Sequence, residues 1–403
     1  MVSEISTQSF LMIFSAVVSF IVTLRGLPVI IAVAHKKKLV DEPESRKIHS
    51  KPIASLGGIA IFAGFFMGLC MLWPEVSDGT LSSIVAASLI IFFLGVKDDI
   101  VGVSASRKFI AQVIAAGIIV FKLNLEVTSF YGLFGLYQIP PALVIVFSML
   151  TIIFIINAFN LIDGVDSLCA LFGILCMATF GLFFFWAGVH TYAVISFSML
   201  GSLIAFLIYN LPPARIFMGD TGSLLLGLIS SILAIKFIEV AGSDRFRDIM
   251  LPSSAPILAM VILFVPLFDA IRVFTLRLFS GKSPFTAEKN HVHHLLLRRG
   301  WTHGRLSICL VLFNLALIVI TWKLRFTHGA KLLTLLFSLG TLGIYLAQRT
   351  KPVSKKMVPF PLTDSKEVPV SSLKELNAEF EPVPDLAEVS MIQDSRKRIG
   401  TTK

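Results

Sequence analysis

The stretch that decides the fold is MLTIIFIINAFNLIDGVDSLCALFGILCMATFGLFFF, residues 149–185. Both of its ends are apolar runs, and between them Asn157, Asn160, Asp163 and Asp166 stand three residues apart with no basic side chain nearby. A hydrocarbon core about 30 Å thick is crossed by roughly 17–25 apolar helical residues. The stretch therefore reads as two membrane helices joined through a short polar segment. Amides and carboxyls at a membrane edge are costly to desolvate and mark a functional position. Either a transporter coordinates an ion there, or an enzyme has placed its chemistry at the membrane surface. On a continuous α-helix each step of three drifts by about 60°, so Asn157 and Asp166 would point to opposite sides. The four groups converge only if the helix ends or breaks, and Gly164 is the expected place.

The rest of the chain agrees with a membrane location. Apolar residues make up 55% of the sequence, charged residues 15%, and the mean hydropathy is +0.84. Soluble domains lie nearer 45–50% apolar and about 25% charged. Eleven spans are expected, at about 10–33, 55–73, 82–96, 108–123, 140–157, 167–186, 191–209, 222–240, 252–274, 306–323 and 331–348. The fold class is all-α and polytopic: a membrane domain over 1–350 and a polar, disordered cytoplasmic tail over 351–403. No cleavable signal peptide is expected, because residues 1–9 carry no basic residue and the apolar stretch from Phe10 runs to Ala34. Cys70, Cys169, Cys176 and Cys309 all lie in apolar segments without a C-x-x-C pair, which argues against a zinc ribbon or disulfide framework.

Basic residues set the orientation. The connections at 34–52, 97–108, 157–166, 210–221 and 275–305, with the tail from 349, hold 26 Lys or Arg. The connections on the other side hold only Arg245, Arg247 and Arg325. The positive-inside rule puts the first set in the cytoplasm, the N-terminus outside and the C-terminus inside. The net charge of +10 is thus a topology signal, and no aromatic-basic patch supports nucleic-acid binding.

Five polar clusters then fall on the cytoplasmic side: RKIHSKPIASLGG (46–58), KDDIVGVSASRK (97–108), NAFNLIDGVDSL (157–168), NLPPARIFMGDTGS (210–223) and GKSPFTAEKNHVHHLLLRRG (281–300). Asp98 and Asp99 end an apolar span, where carboxylates serve a cation or phosphate chemistry. Asp220 opens a helix whose N–H groups favour anions, and its own oxygens suit a hard cation. The alternative is that Asp220 merely caps the helix. A helix over about 284–299 would place His291, His294 and Arg298 on one face, a basic stripe suited to a pyrophosphate. The competing reading is an amphipathic helix lying against anionic lipid.

In this order on a polytopic chain, KDDIVG, NAFNLIDGVDSL, NLPPARIFMGDTGS and KSPF…HVHHLLLRRG resemble the polyprenyl-phosphate N-acetylhexosamine-1-phosphate transferases over residues 10–348. HVHHLLLRRG is similar to the undecaprenyl-phosphate GlcNAc-1-phosphate branch. The resemblance implies a cytoplasmic active site in the bacterial plasma membrane, Mg²⁺ dependence with Mn²⁺ as a substitute, and a homodimer. Its substrates would be a UDP-N-acetylhexosamine and undecaprenyl phosphate. By position, Asn160 and Asp220 match metal-associated residues, and Asp98 and Asp99 match the acidic pair near metal and lipid phosphate. Lys108 matches a lysine on the pyrophosphate, and Asp166, Asn210 and Phe217 match positions around the uracil. His291, His293 and His294 match the histidine motif near the sugar phosphate, and Lys51 matches the first-loop motif more loosely. Asp163 joins the catalytic set without an assigned task. The rival class is a secondary transporter, whose ion site would lie at the bilayer midplane between inverted repeats. The acids here sit at span ends.

Overall fold

The computed structural model describes residues 2–39, 53–72, 79–279, 281 and 291–349. Lys51, most of the segment before the histidines, and the tail lie outside the described residues. The chain runs α1 (Val2–Lys37), α2 (Gly57–Leu69), α3 (Thr80–Val101) and α4 (Ala105–Leu123), then a hairpin of β1 (Ser129–Leu133) and β2 (Leu136–Gln138). There follow α5 (Pro141–Ile162), α6 (Leu168–Trp186), α7 (His190–Asn210), α8 (Gly219–Ala241), α9 (Ala255–Ile262) and α10 (Phe264–Phe279). The last elements are α11 (Val292–Arg298), α12 (His303–Lys323) and α13 (Gly329–Arg349).

Each of the eleven apolar segments falls on helix, the ninth on the pair α9 and α10, which meet at 82°. By length and composition, seven helices among the described residues are able to cross a membrane, or eight with the bent pair as one span. The set lacks α2, which has only 13 residues, and also α3 and α4. The antiparallel hairpin arises in a connection expected to be loop.

Position follows from composition. Between its charged ends α8 carries no charged residue on any side, as an enclosed stretch requires, and 78% of its most apolar stretch is buried. It forms the axis of the bundle, with α2, α3, α5, α6 and α9 against it. α1, α12 and α13 are peripheral and expose apolar side chains such as Phe10, Leu312 and Leu346, as lipid-facing helices do.

The break between α9 and α10 has a local cause. Pro266 has no N–H, and its ring would meet the carbonyl of Ile262 four residues earlier in a continuous helix. The freed backbone groups are satisfied by Asn314 of α12. Its Nδ2 donates to the Val261 and Ile262 carbonyls, each at 3.2 Å, and its Oδ1 accepts from Val265 N–H at 3.3 Å.

Candidate active site

Gly95 of α3 sets the position of the acids. A Cβ there would overlap the backbone of Thr221, so only glycine lets α3 approach the start of α8 this closely. One turn later on the same face stands Asp99. Its Oδ1 accepts from Asp220 N–H at 2.7 Å, and its Oδ2 accepts from Thr221 N–H at 3.0 Å and Thr221 Oγ1–H at 2.5 Å. Asp99 thus caps α8 from another helix and meets the orphan donors that every helix start presents. α8 has no cap from its own preceding side chain. The simple reading of Asp220 as the cap is therefore corrected, and Asp220 is released for other work.

That work is with a cation and an amide. Asp220 Oδ2 accepts from Lys108 Nζ at 2.6 Å, and Asp220 Oδ1 accepts from Asn160 Nδ2 at 3.0 Å. Lys108 also pairs with Asp98 Oδ2, and Asp98 Oδ1 accepts from Val103 N–H at 2.6 Å. Asp163 caps the end of α5, receives the Gly219 N–H, and feels the charges of Asp220 and Asp99. Burial, and then those neighbouring carboxylates, push its carboxyl well above the usual range. Asp98, Asp99, Lys108, Asn160, Asp163 and Asp220 thus come from four helix ends, those of α3, α4, α5 and α8, at one end of the bundle.

Two backbone devices hold the cluster. Phe217 N–H donates to the Ala54 carbonyl, while Gly57 N–H and Gly58 N–H donate to the Phe217 and Met218 carbonyls. This short parallel stitch ties the start of α2 to the residues before Asp220. Gly219 has φ +74°, and a Cβ there would run into Ser55 O and both Asp99 oxygens.

The polar stretch of α5–α6 divides. α5 ends at Ile162 and α6 begins at Leu168, so the break falls around Gly164 as the spacing predicts. Asn157 turns away, exchanging hydrogen bonds with Gln112. Asn160 and Asp163 join the acid cluster. Buried Asp166 lies on another side, with Oδ1 3.2 Å from His303 Nδ1 and its carbonyl accepting Ser307 Oγ–H at 3.0 Å. Asn210 accepts Ser167 N–H at 2.8 Å and donates to the Ile216 carbonyl at 2.8 Å, so its amide locks the loop of Asp166 to that of Phe217.

The histidines depart from the expected stripe. Among the described residues α11 starts only at Val292, and His291 precedes it with extended φ and ψ. The face of His291, His294 and Arg298 is therefore replaced by a three-ring cluster. The His291 and His293 rings lie nearly parallel, 5.5 Å apart, and the His293 and His294 centroids are 4.4 Å apart. Arg298 is exposed on the last turn of α11. Gly164 is the link to the acids, since a Cβ on it would stand 3.2 Å from His293 Nε2.

Sequence reasoning missed Asp269 of α10, which holds this cluster. Asp269 Oδ2 lies 3.0 Å from His291 Nδ1, Asp269 Oδ1 accepts from Val292 N–H at 3.1 Å, and Arg272 pairs with Oδ1 at 2.8 Å. The available signal was an acid inside an apolar span, the same signal that exposed Asp98 and Asp99. Burial, and then the neighbouring His294, push His293 down to about 3. A histidine lowered from 6.5 stays neutral in the folded protein while the unfolded chain takes up a proton. Stability is therefore complete above pH 6.5 and falls as the pH drops from 6.5 towards 3. Melting of the detergent-solubilised protein is expected to show this acid loss, and His293→Gln to reduce its slope. An unchanged slope would contradict neutral burial.

Chemically, four carboxyl groups face one ammonium, and both ion pairs found among them in the described residues go to Lys108. Among the described residues no three His, Cys, Asp or Glu side chains close into a ready cage for a metal. Excess negative charge with hard oxygen donors and an incomplete cage suits Mg²⁺, which takes one or two carboxylates and completes its shell with water and substrate phosphate. The residues present fit such an ion.

Helix ends that gather acids around a lysine, on an axis helix buried in a membrane bundle, agree with what comparison finds. A match to glycosyl transferase family 4 covers residues 81–238, which hold all six members of the acid–lysine cluster. The chain belongs to this family, among its polyprenyl-phosphate N-acetylhexosamine-1-phosphate transferases. It is 32% identical to the probable undecaprenyl-phosphate N-acetylglucosaminyl 1-phosphate transferase of Bacillus subtilis (strain 168), over 85% of this chain and 94% of that protein. It is 30% identical to the decaprenyl-phosphate N-acetylglucosaminephosphotransferase of Mycobacterium tuberculosis (strain H37Rv), over 67% and 72%. It is 29% identical to the undecaprenyl-phosphate alpha-N-acetylglucosaminyl 1-phosphate transferase of Salmonella typhi, over 73% and 79%.

Proposed function

We propose that this chain transfers GlcNAc-1-phosphate from UDP-GlcNAc to undecaprenyl phosphate, releasing UMP and starting a lipid-linked cell-envelope polysaccharide. The observation that carries the reading is Lys108 held between Asp98 and Asp220, beside Asn160 and Asp163, in a chain whose relatives bear that activity in their names. An oxygen of the lipid phosphate attacks the β-phosphorus of the donor. The bond from that phosphorus to the bridging oxygen breaks, and UMP leaves with the electron pair.

Such a reaction needs positioning and charge neutralisation more than covalent help. Lys108 would meet the pyrophosphate. Asp166, Asn210, Phe217 and Lys51 would frame the nucleotide, Asn210 by fixing the loop of Asp166. The histidine cluster and Arg298 would face the sugar phosphate. Asp220 and Asn160, with Asp163 beside them, would hold Mg²⁺, or Mn²⁺ in its place. When bound, the ion would add positive charge against the donor phosphates.

A phosphate monoester has its second pKa near 6 and is largely a dianion at neutral pH, so the nucleophile needs little deprotonation. Asp98 is therefore assigned to holding Lys108, with which it pairs. Asp98→Asn is expected to lower kcat about 10²-fold at every pH between about 6 and 9. Full recovery at alkaline pH would instead make Asp98 a general base. Asp99, both of whose oxygens serve α8, keeps Asp220 in place.

The proposal includes eleven crossings with the N-terminus outside, the site on the cytoplasmic face of a bacterial plasma membrane, and a homodimer. The transporter reading draws no support from fold, site or relatives. The test mixes purified protein, labelled UDP-sugars, undecaprenyl phosphate and Mg²⁺, and follows label into the lipid phase. Transfer from UDP-GlcNAc is expected, with none when the divalent ion is chelated. No transfer from any UDP-N-acetylhexosamine would overturn the reading.

A further inference from the structure

We propose that Asp269 is a positioning residue of the transfer reaction and acts through His291. It stands just beyond the bend at the start of α10, 2% exposed, and its carboxylate takes donors from both sides. Arg272 Nη2 donates to it at 2.8 Å from its own helix. On the other side it receives Val292 N–H, and His291 Nδ1 lies 3.0 Å from Oδ2. A carboxylate paired with Arg272 only accepts, so the ring nitrogen facing it carries the hydrogen. His291 therefore presents Nε2 as its remaining atom. The same carboxylate fixes where α11 begins, so one buried group sets the helix, the ring orientation and the tautomer together. Among the described residues the titratable and charged neighbours in contact with the pair include Arg272 on α10 and His293 and His294 on α11.

Capping alone would make Asp269 a structural residue. A positioning role requires more: its effect must pass through the imidazole. The assignment rests on the proposed reading of the histidine cluster as the sugar-phosphate side of the site.

Asp269→Asn separates the two roles. The amide oxygen still accepts Val292 N–H, but the amide N–H₂ facing Nδ1 turns that nitrogen into an acceptor and moves the ring proton to Nε2. In ¹⁵N-histidine-labelled protein, long-range ¹⁵N–¹H correlation is expected to show His291 protonated at Nδ1 in the wild type and at Nε2 in Asp269→Asn. In the transfer assay kcat is expected to fall about 10²-fold with KM for UDP-GlcNAc changed less than about threefold. In a His291→Ala background, Asp269→Asn should cost nothing further, because both changes remove the same function. Costs that multiply in the double variant, or a wild-type ring without a proton on Nδ1, would overturn the proposal. Should the wild type transfer no sugar phosphate, the reading of the site falls, and the ring tautomer still decides the Asp269–His291 pair.

Discussion

Asp220→Asn is expected to lower kcat for GlcNAc-1-phosphate transfer about 10³-fold, the scale on which preorganised charge acts in a desolvated site. Melting in detergent should stay near that of the wild type. The substitution is isosteric, and the geometry tells how it would settle. The amide oxygen can turn to Lys108, leaving the amide nitrogen towards Asn160, whose own amide can flip to present oxygen. Both contacts survive with a neutral partner, so shape is kept and charge is lost. Single-turnover measurement with labelled UDP-GlcNAc reads the chemical step directly. A variant that keeps more than about a tenth of the wild-type rate would show that the Lys108–Asp220 pair is an assembly contact with no part in the reaction.

Gly58→Ala is the second large effect, and it touches no reacting group. A Cβ on Gly58 would overlap Gly222 N and stand 2.7 Å from Gly222 Cα, a backbone that cannot rotate away. α2 and the start of α8 must then part. Overpacking costs about 1–3 kcal/mol, and a displacement of about 1 Å in a site costs on the order of 10² in rate. The variant is expected to melt earlier and to lose about 10² in kcat, because Asp220 lies two residues before Gly222. Gly117→Ala is the control, since its nearest neighbour would be 3.8 Å away in ordinary contact. Equal behaviour of the two variants would mean that the α2–α8 contact does not position Asp220.

Much of the site is legible because membrane chemistry makes it so. Asp98, Asp99, Asn160 and Asp220 stand out as polar groups at the ends of apolar runs, where each carries an energetic penalty that calls for a reason. The helix break near Gly164 follows from angular drift alone. The task of Asp99 is not legible. Capping α8 from another helix depends on how closely Gly95 lets α3 approach Thr221, which is a tertiary fact. The histidines mislead for a related reason. A count of i, i+3 and i+7 assumes that the helix is already running at His291, whereas Asp269 receives the Val292 N–H and starts it there. Pairing between Asp166 and His303 joins positions 137 apart, beyond the reach of any local pattern.

Asn314 bears on how the chain matures. The carbonyls of Val261 and Ile262 and the amide of Val265 find their partner on a helix made some fifty residues later. In hydrocarbon an unpaired backbone group costs several kcal/mol, so the bend settles only after α12 has left the ribosome and entered the bilayer. Asp269 and the histidine cluster lie beyond that bend. A nascent chain halted before α12 would already possess the acids and the lysine, yet lack the partner that settles the bend before Asp269 and the histidine cluster. The acid–lysine cluster and the histidine cluster are thereby separated in the order of synthesis, the second waiting on a helix that follows it in the chain.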